Sequence, residues 1–320
     1  MTSITILGAG AFGTALAVMY ALGGHDVTLW SHKADEADRL QTTRKNALRL
    51  PDVSFPPSMA VAAEIPAVVG PVLLACPMQA LAGLLETHRR TLDGQSLVAC
   101  CKGIDTRTAE TATEIIRRLC PNATPAVLTG PSFATEIARG LPTALTLASS
   151  DAGAARVLQQ QLSTRTLRLY RTTDTIGAEL GGALKNVVAI ATGAAIGAEY
   201  GESARAAILT RGFDEMTRLA VALGAERETL TGLCGLGDLT LTAMSEQSRN
   251  TRFGIALGRG QTFDESTTVE GRHTAEAALR LAADHALDLP VMQATADLAA
   301  GRATASEITD RLLARPLKEE

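Results

Sequence analysis

Aromatic side chains are scarce in this 320-residue chain: six Phe, three Tyr and one Trp make up 3% of it. So few rings cannot build a row of stacking platforms for single-stranded nucleic acid, and the core must rest on Ala, Leu, Val and Ile. An excess of basic charge is missing as well. Thirty Lys and Arg stand against 34 Asp and Glu, a net charge of −4, which leaves no field to hold a phosphate backbone; nucleic acid is not an expected partner. The five cysteines, Cys76, Cys100, Cys101, Cys120 and Cys234, show no C-x-x-C spacing. Neither a disulfide framework nor a thiolate zinc site is indicated, and a reducing, cytoplasmic setting fits. The five histidines are scattered without an H-E-x-x-H pairing, so no metal is expected.

Long unbroken apolar runs are also wanting. Met1 to Gly24 carries no charged side chain, yet it lacks the positive start of a signal peptide, and Gly8, Gly10 and Gly13 interrupt it. It reads as strand, turn and helix. The runs around Ile65 to Met78 and Val187 to Ala198 are interrupted or too short to span a bilayer, so a soluble protein without a membrane span is expected.

What is present is a globular composition, 46% hydrophobic and 20% charged, on a length that favours two domains. The first half alternates short β-branched runs with helical patterns. Strands are predicted at Ile4–Leu7, Val27–Trp30, Val72–Cys76, Leu97–Cys101, Ala126–Thr129, Ala144–Ala148 and Leu167–Tyr170, with a helix over Ala11–Leu22. This alternation implies a parallel, doubly wound α/β sheet that binds ligands beyond the carboxyl ends of its strands. From Asp174 onward the periodicity is helical. Thr175–Ala198 predicts a long helix with Ile176, Leu180, Leu184, Val187 and Ala191 on one stripe, and Ser203–Leu223, Arg272–His285 and Ser306–Leu313 predict further helices. The expected fold is a Rossmann-like dinucleotide-binding domain over residues 1–173, then an all-α substrate-binding and catalytic domain over 174–320, with the active site in a cleft between them.

Gly8-Ala9-Gly10-Ala11-Phe12-Gly13 is G-x-G-x-x-G between the first strand and first helix, the context a dinucleotide pyrophosphate requires. At the end of the second strand, where an acidic residue would bond a bare ribose 2′-hydroxyl, the chain reads Trp30-Ser31-His32-Lys33 and has no carboxylate before Asp35. His32 and Lys33 could meet a 2′-phosphate, which favours NADPH, with NADH also open; the plainer reading is a solvated basic pair opening a helix. Lys185 has only Gly181, Gly182, Val188 and Ala189 at helical spacing, so its ammonium needs a partner from another element or a ligand. A snorkelling surface lysine is the alternative. Lys102 ends a predicted strand, Gly130-Pro131-Ser132-Phe133 opens a turn, and Gly232 to Asp238 with Ser248-Arg249-Asn250 gathers donors suited to an anionic substrate.

Taken together, GAGAFGTALA, CKGI at Lys102, GPSFATEIARGLPTA from Gly130, LGGALKNVVAIATG around Lys185, GLGDLTLT at Asp238, QSRNTRFG at Arg249 and VEG at Glu270 resemble the bacterial NAD(P)H-dependent glycerol-3-phosphate dehydrogenase family over essentially the whole chain. The resemblance implies reduction of dihydroxyacetone phosphate, a small phosphorylated three-carbon substrate, to sn-glycerol 3-phosphate for phospholipid synthesis, and leaves room for a homodimer. It implies that Lys185 is the proton donor or acceptor and that Lys102 touches both cofactor and substrate. Gly130, Ser132, Asp238, Ser248, Arg249 and Asn250 match substrate-holding positions. Ala11, Phe12, His32, Lys33, Ala134, Arg249 and Glu270 match cofactor contacts, beside Gly8, Gly10 and Gly13. Ala11 stands where the family often has Ser, and Ser132 where Thr is common. A related β-hydroxyacid dehydrogenase and a non-catalytic NADPH-binding redox sensor remain the alternatives at this point.

Overall fold

The structure is a computed structural model that describes residues 2–265 and 267–314; the last six positions of the expected second domain lie outside the described residues. Contacts divide the chain into two compact units, residues 1–105 with 110–179, and 106–109 with 180–320.

The first unit is built on β1 (Ser3–Leu7), β2 (Asp26–Trp30), β3 (Lys45–Asn46), β4 (Leu50–Ser54), β5 (Met59–Ala62), β6 (Val72–Leu74), β7 (Ser96–Ala99), β8 (Thr124–Thr129), β9 (Thr143–Ala148) and β10 (Leu167–Thr172). Its helices are α1 (Ala11–Leu22), α2 (Ala34–Thr43), α3 (Leu81–Leu92), α4 (Ala112–Leu119), α5 (Ala134–Ala138) and α6 (Ala152–Leu162). Eight strands form one sheet in the order β10-β9-β8-β7-β6-β1-β2-β5, and β3 pairs with β4 apart from it. Alternation along the strands decides which face each residue covers. Ile4 and Ile6 pack with Leu16, Tyr20, Val27 and Leu29 on one face, while Leu7, Leu74 and Leu97 pack with Leu85 and Ile116 on the other. Both faces are therefore covered, as a doubly wound sheet requires.

One expectation is corrected here. The sheet is not parallel throughout, because β8 and β9 pair antiparallel. The link between them runs over residues 130–142 and its one helix is the five-residue α5.

The second unit is helical. Its described elements are the greater part of α7 (Thr175–Gly197), then α8 (Gly201–Ala222), α9 (Arg227–Thr231), α10 (Asp238–Ala243), α11 (Arg249–Gly258), α12 (Glu270–Asp284), α13 (Pro290–Ala299) and α14 (Ala305–Leu313), with a π-turn at Leu233–Gly237. The single buried stripe expected for α7 is also corrected, since residues 177–190 are buried all round and Ile176 is exposed. This helix is long and apolar enough to cross a membrane by length and composition, but 89% of its most apolar window is buried, which makes it a core helix.

Candidate active site

In the first unit the glycine loop joins β1 to α1. Gly8 has φ +124°, and a Cβ there would lie 2.7 Å from the Ala75 carbonyl oxygen; a Cβ on Gly13 would run into Gly8. These two glycines close the turn against the neighbouring strand's end. Gly10 differs: it is exposed, and a Cβ there would meet nothing within 4 Å. It is also the N-cap of α1 and makes no side-chain capping bond. The first-turn N–H groups of a helix need partners from outside it, and the positive end of the helix dipole favours an anion. An open, side-chain-free cradle at an N-terminus fits a pyrophosphate. Ala11 and Phe12 flank it, half-buried.

At the end of β2, His32 and Lys33 are both exposed, and the His32 ring sits 6.4 Å from that of Trp30. The sequence reading missed Glu36. The buried Ser31 hydroxyl donates to Glu36 Oε2 at 2.5 Å, so the first turn of α2 brings a carboxylate back to the strand end. Its position three residues beyond the N-cap Lys33 could have signalled this.

Beyond β7, the half-buried Lys102 donates from Nζ to the Gly130 carbonyl oxygen at 3.1 Å, and Ser132 Oγ donates to the same oxygen at 3.2 Å. Gly130 has φ +134°, with the space for a Cβ taken by Leu145. Three of the predicted residues thus converge on one carbonyl. Ala134 opens α5 two residues further on.

In the second unit Lys185 is 6% exposed. Its Nζ donates to Asp238 Oδ1 at 3.0 Å and to Thr242 Oγ1 at 2.6 Å, and the Thr242 hydroxyl lies 3.4 Å from the same carboxylate oxygen. Asp238 opens α10 and Thr242 stands one turn later, so a single short helix supplies both partners. The π-turn before α10 packs directly on α7, where a Cβ on Gly181 would lie 2.8 Å from the Cys234 carbonyl oxygen. Thr242 was missed, although its i, i+4 spacing from Asp238 is legible.

Ser248 is the N-cap of α11, and its hydroxyl accepts from Thr251 N–H at 3.2 Å. Arg249 is exposed at the start of the same helix. Asn250 donates to Asn186 Oδ1 at 2.9 Å and accepts from Gly271 N–H at 3.0 Å, tying α11 to α7 and to the start of α12. Asn186, beside the lysine and 4% exposed, is a second residue that sequence reading passed over. Glu270 opens α12; burial raises its pKa above the ordinary glutamate value, and the positive charge of Arg249 opposes that rise.

The family model for the N-terminus of NAD-dependent glycerol-3-phosphate dehydrogenase matches residues 3–155, and that for its C-terminus matches residues 174–310. Glycerol-3-phosphate dehydrogenase (NAD(P)+) of Paracoccus denitrificans is 57% identical over 319 residues, covering 99% of this chain and all of the relative. The enzyme of the same name from Cereibacter sphaeroides is 56% identical over 319 residues, again covering 99% of this chain and all of the relative. The crystal structure of glycerol-3-phosphate dehydrogenase from Coxiella burnetii superposes with a TM-score of 0.91 at 36% identity, covering 98% of this chain and 99% of that one. Both halves of the chain, with the glycine loop in one and the buried lysine in the other, are therefore accounted for by one family, and the chain belongs to the NAD-dependent glycerol-3-phosphate dehydrogenases.

Proposed function

We propose that this chain reduces dihydroxyacetone phosphate to sn-glycerol 3-phosphate with NADPH, accepts NADH less well, and supplies glycerophospholipid synthesis in the cytoplasm. In this reading residues 1–173 bind the dinucleotide, and residues 174–320 bind and turn over the substrate. The observation that carries it is the buried Lys185–Asp238–Thr242 set. An NADPH-binding sensor without turnover gives no reason to bury a paired ammonium, which costs several kcal/mol of desolvation before the pairing repays it.

A nicotinamide cofactor held at the glycine loop would supply the hydride for the carbonyl carbon. Charge then builds on the carbonyl oxygen, and the Lys185 ammonium delivers the proton that completes the alcohol. Asp238 and Thr242 accept from the Lys185 ammonium and fix the direction of its N–H bonds. Arg249 provides a forked pair of donors for the phosphate, so that binding at the remote end orients the reacting end. Lys102 and Ser132, both held on the Gly130 carbonyl oxygen, supply donors beside the cofactor in the same reading, with Ala134 next to them. Ser248 and Asn250 hold the start of α11 and add hydrogen bonds to the substrate from that end.

The experiment is oxidation of NADPH by dihydroxyacetone phosphate, followed in absorbance and repeated with NADH and with a β-keto acid in place of the phosphate substrate. Turnover of the keto acid alone would reject the proposal. For the cofactor preference, exposed His32 and Lys33 offer N–H donors, with the charge of Lys33, at the end of β2, while of the two carboxylates in the first turn of α2 Glu36 accepts from Ser31 and Asp35 is exposed. Replacing both by Ala is expected to lower the NADPH-to-NADH efficiency ratio about tenfold, the loss of one to two exposed charge contacts to a phosphate; an unchanged ratio places the 2′-phosphate elsewhere.

A further inference from the structure

Asn46 belongs to none of the groups above. It lies in the two-residue strand β3 and its side chain is 0% exposed. Its amide nitrogen donates to the Ala9 carbonyl oxygen at 2.9 Å and to Thr14 Oγ1 at 2.9 Å, and its own oxygen accepts from Arg49 N–H at 3.3 Å. Both protons of a buried amide are thus spent on the glycine loop and the first turn of α1. A conformational need explains the arrangement. The peptide between Ala9 and Gly10 is flanked by glycine on one side and has glycine on the other side of Ala9, so the backbone itself fixes its plane weakly; the Thr14 hydroxyl, which Asn46 also holds, donates to the same Ala9 oxygen only at 3.5 Å.

A trans peptide carries its C=O and N–H on opposite edges. Holding the Ala9 oxygen against Asn46 turns the Gly10 N–H the other way, away from Asn46, and Gly10 itself is exposed with no atom within 4 Å of where a Cβ would stand. With the peptide reversed, a carbonyl oxygen would face the same space and repel an anion. We infer that Asn46 is a positioning residue for the dinucleotide, presetting the Ala9–Gly10 peptide so that its N–H, and not its oxygen, faces the pyrophosphate. This rests on the glycine loop being the cofactor site. Preorganisation of this kind lowers the ordering cost of binding and is worth most when the supporting bonds are buried.

The test uses the full chain and two ligands, NADPH and ADP-ribose, which share the pyrophosphate, titrated by calorimetry. Asn46→Asp is nearly isosteric but sets an acceptor against the Ala9 oxygen. It is expected to weaken both ligands by tenfold or more, and by similar factors. Lowering the pH from 8 to 5.5 is expected to restore much of the ADP-ribose affinity, because the introduced carboxyl regains a proton to donate to Ala9; a purely structural defect would not recover in this way. Asn46→Ser, which cannot reach either acceptor, is expected to lose at least fivefold. A folded variant that binds within twofold of the parent overturns the assignment, as does a loss in Asn46→Asp that ignores pH. If neither variant folds, the amide is a requirement of the fold and the positioning role is likewise rejected. Failure of the parent chain to bind ADP-ribose or NADPH is a different result, which rejects the reading of the loop itself.

Discussion

Lys185 is a charge that α7 could not bury alone, since its helical neighbours are glycine, valine and alanine. The partner comes from α10, and the pair fixes what a mutation must show. Lys185→Ala is expected to lower turnover at least about a hundredfold, the scale for losing a general acid. NADPH affinity should be largely kept. The variant should also melt earlier, because the buried Asp238 carboxyl loses its ammonium partner, and removing one partner of a buried ion pair costs about 3 to 5 kcal/mol. Near-normal turnover in a folded variant would remove Lys185 from the mechanism. Arg249 is tested by contrast between substrates. Losing a charged partner of a dianion costs roughly 2 to 5 kcal/mol of binding, so Arg249→Ala should lose efficiency on dihydroxyacetone phosphate far more than on dihydroxyacetone. Equal losses on both would exclude it as the phosphate anchor. Arg249→Lys keeps the charge without the fork and should recover only part of the loss.

Among elements, the crossing of α7 and α11 decides whether Asn186 and Asn250, the neighbours of Lys185 and Arg249 in the chain, meet. Gly193 and Gly197 on α7 face Gly254 and Gly258 on α11, each so close to the opposite backbone that a Cβ would strike a carbonyl oxygen: Gly193 on Thr251, Gly197 on Ile255, Gly254 on Ile190 and Gly258 on Ala194. Small residues four apart allow this approach, and it sets the reach of the Asn186–Asn250 bond. Gly254→Ala should therefore destabilise the chain by about 1 to 3 kcal/mol, the usual cost of overpacking. Thermal melting would show it, and an unchanged melting temperature would mean that the crossing yields without strain. Periodicity made α1, α7, α8, α12 and α14 legible within a residue or two, and the seven predicted strands are all present. It did not show β3, β4, β5, α9, α10, α11 or α13, which are short or carry weak alternation. Lys185 and Lys102 were readable because a charge among small residues or at a strand end breaks a pattern. Asn186 and Asn46 break none, being ordinary polar residues bonded to partners 64 and 37 residues away in the chain. Only tertiary structure distinguishes such residues from solvated ones.

For the whole molecule, two buried carboxylates tie stability to pH. Glu179 accepts from the N–H and the hydroxyl of Thr113, both at 2.7 Å, near the start of α4. Glu215 accepts from Val291 N–H at 2.7 Å and Met292 N–H at 2.9 Å at the start of α13. Burial pushes both carboxyls from 4.5 up to about 7, against the pull of those hydrogen bonds. A raised pKa means that the folded state holds protons that the unfolded state has released. Each group's contribution is then fully present below about pH 4.5 and is lost as pH rises through about 7. Its size is at most about 3 kcal/mol per group. Substitution by Gln separates the two sites because their donors differ. In Glu179→Gln the amide oxygen can take the Thr113 N–H while the amide N–H₂ donates to the Thr113 hydroxyl, so both Thr113 bonds survive, beside the further bond that Glu179 takes from the Thr111 hydroxyl. In Glu215→Gln one backbone N–H must face an N–H₂ group, and an unsatisfied buried donor costs about 1 to 3 kcal/mol. Denaturant unfolding of the parent between pH 5 and 8 should therefore show stability falling as pH rises, over and above the titration of surface groups. Glu179→Gln should match the parent near pH 5, exceed it near pH 8 and flatten the slope. Glu215→Gln should lie below the parent at pH 5, with a flatter slope of its own. If Glu179→Gln is the weaker protein at pH 8, its carboxylate is ionised in the folded state there, and the helix N-terminus outweighs burial at that site.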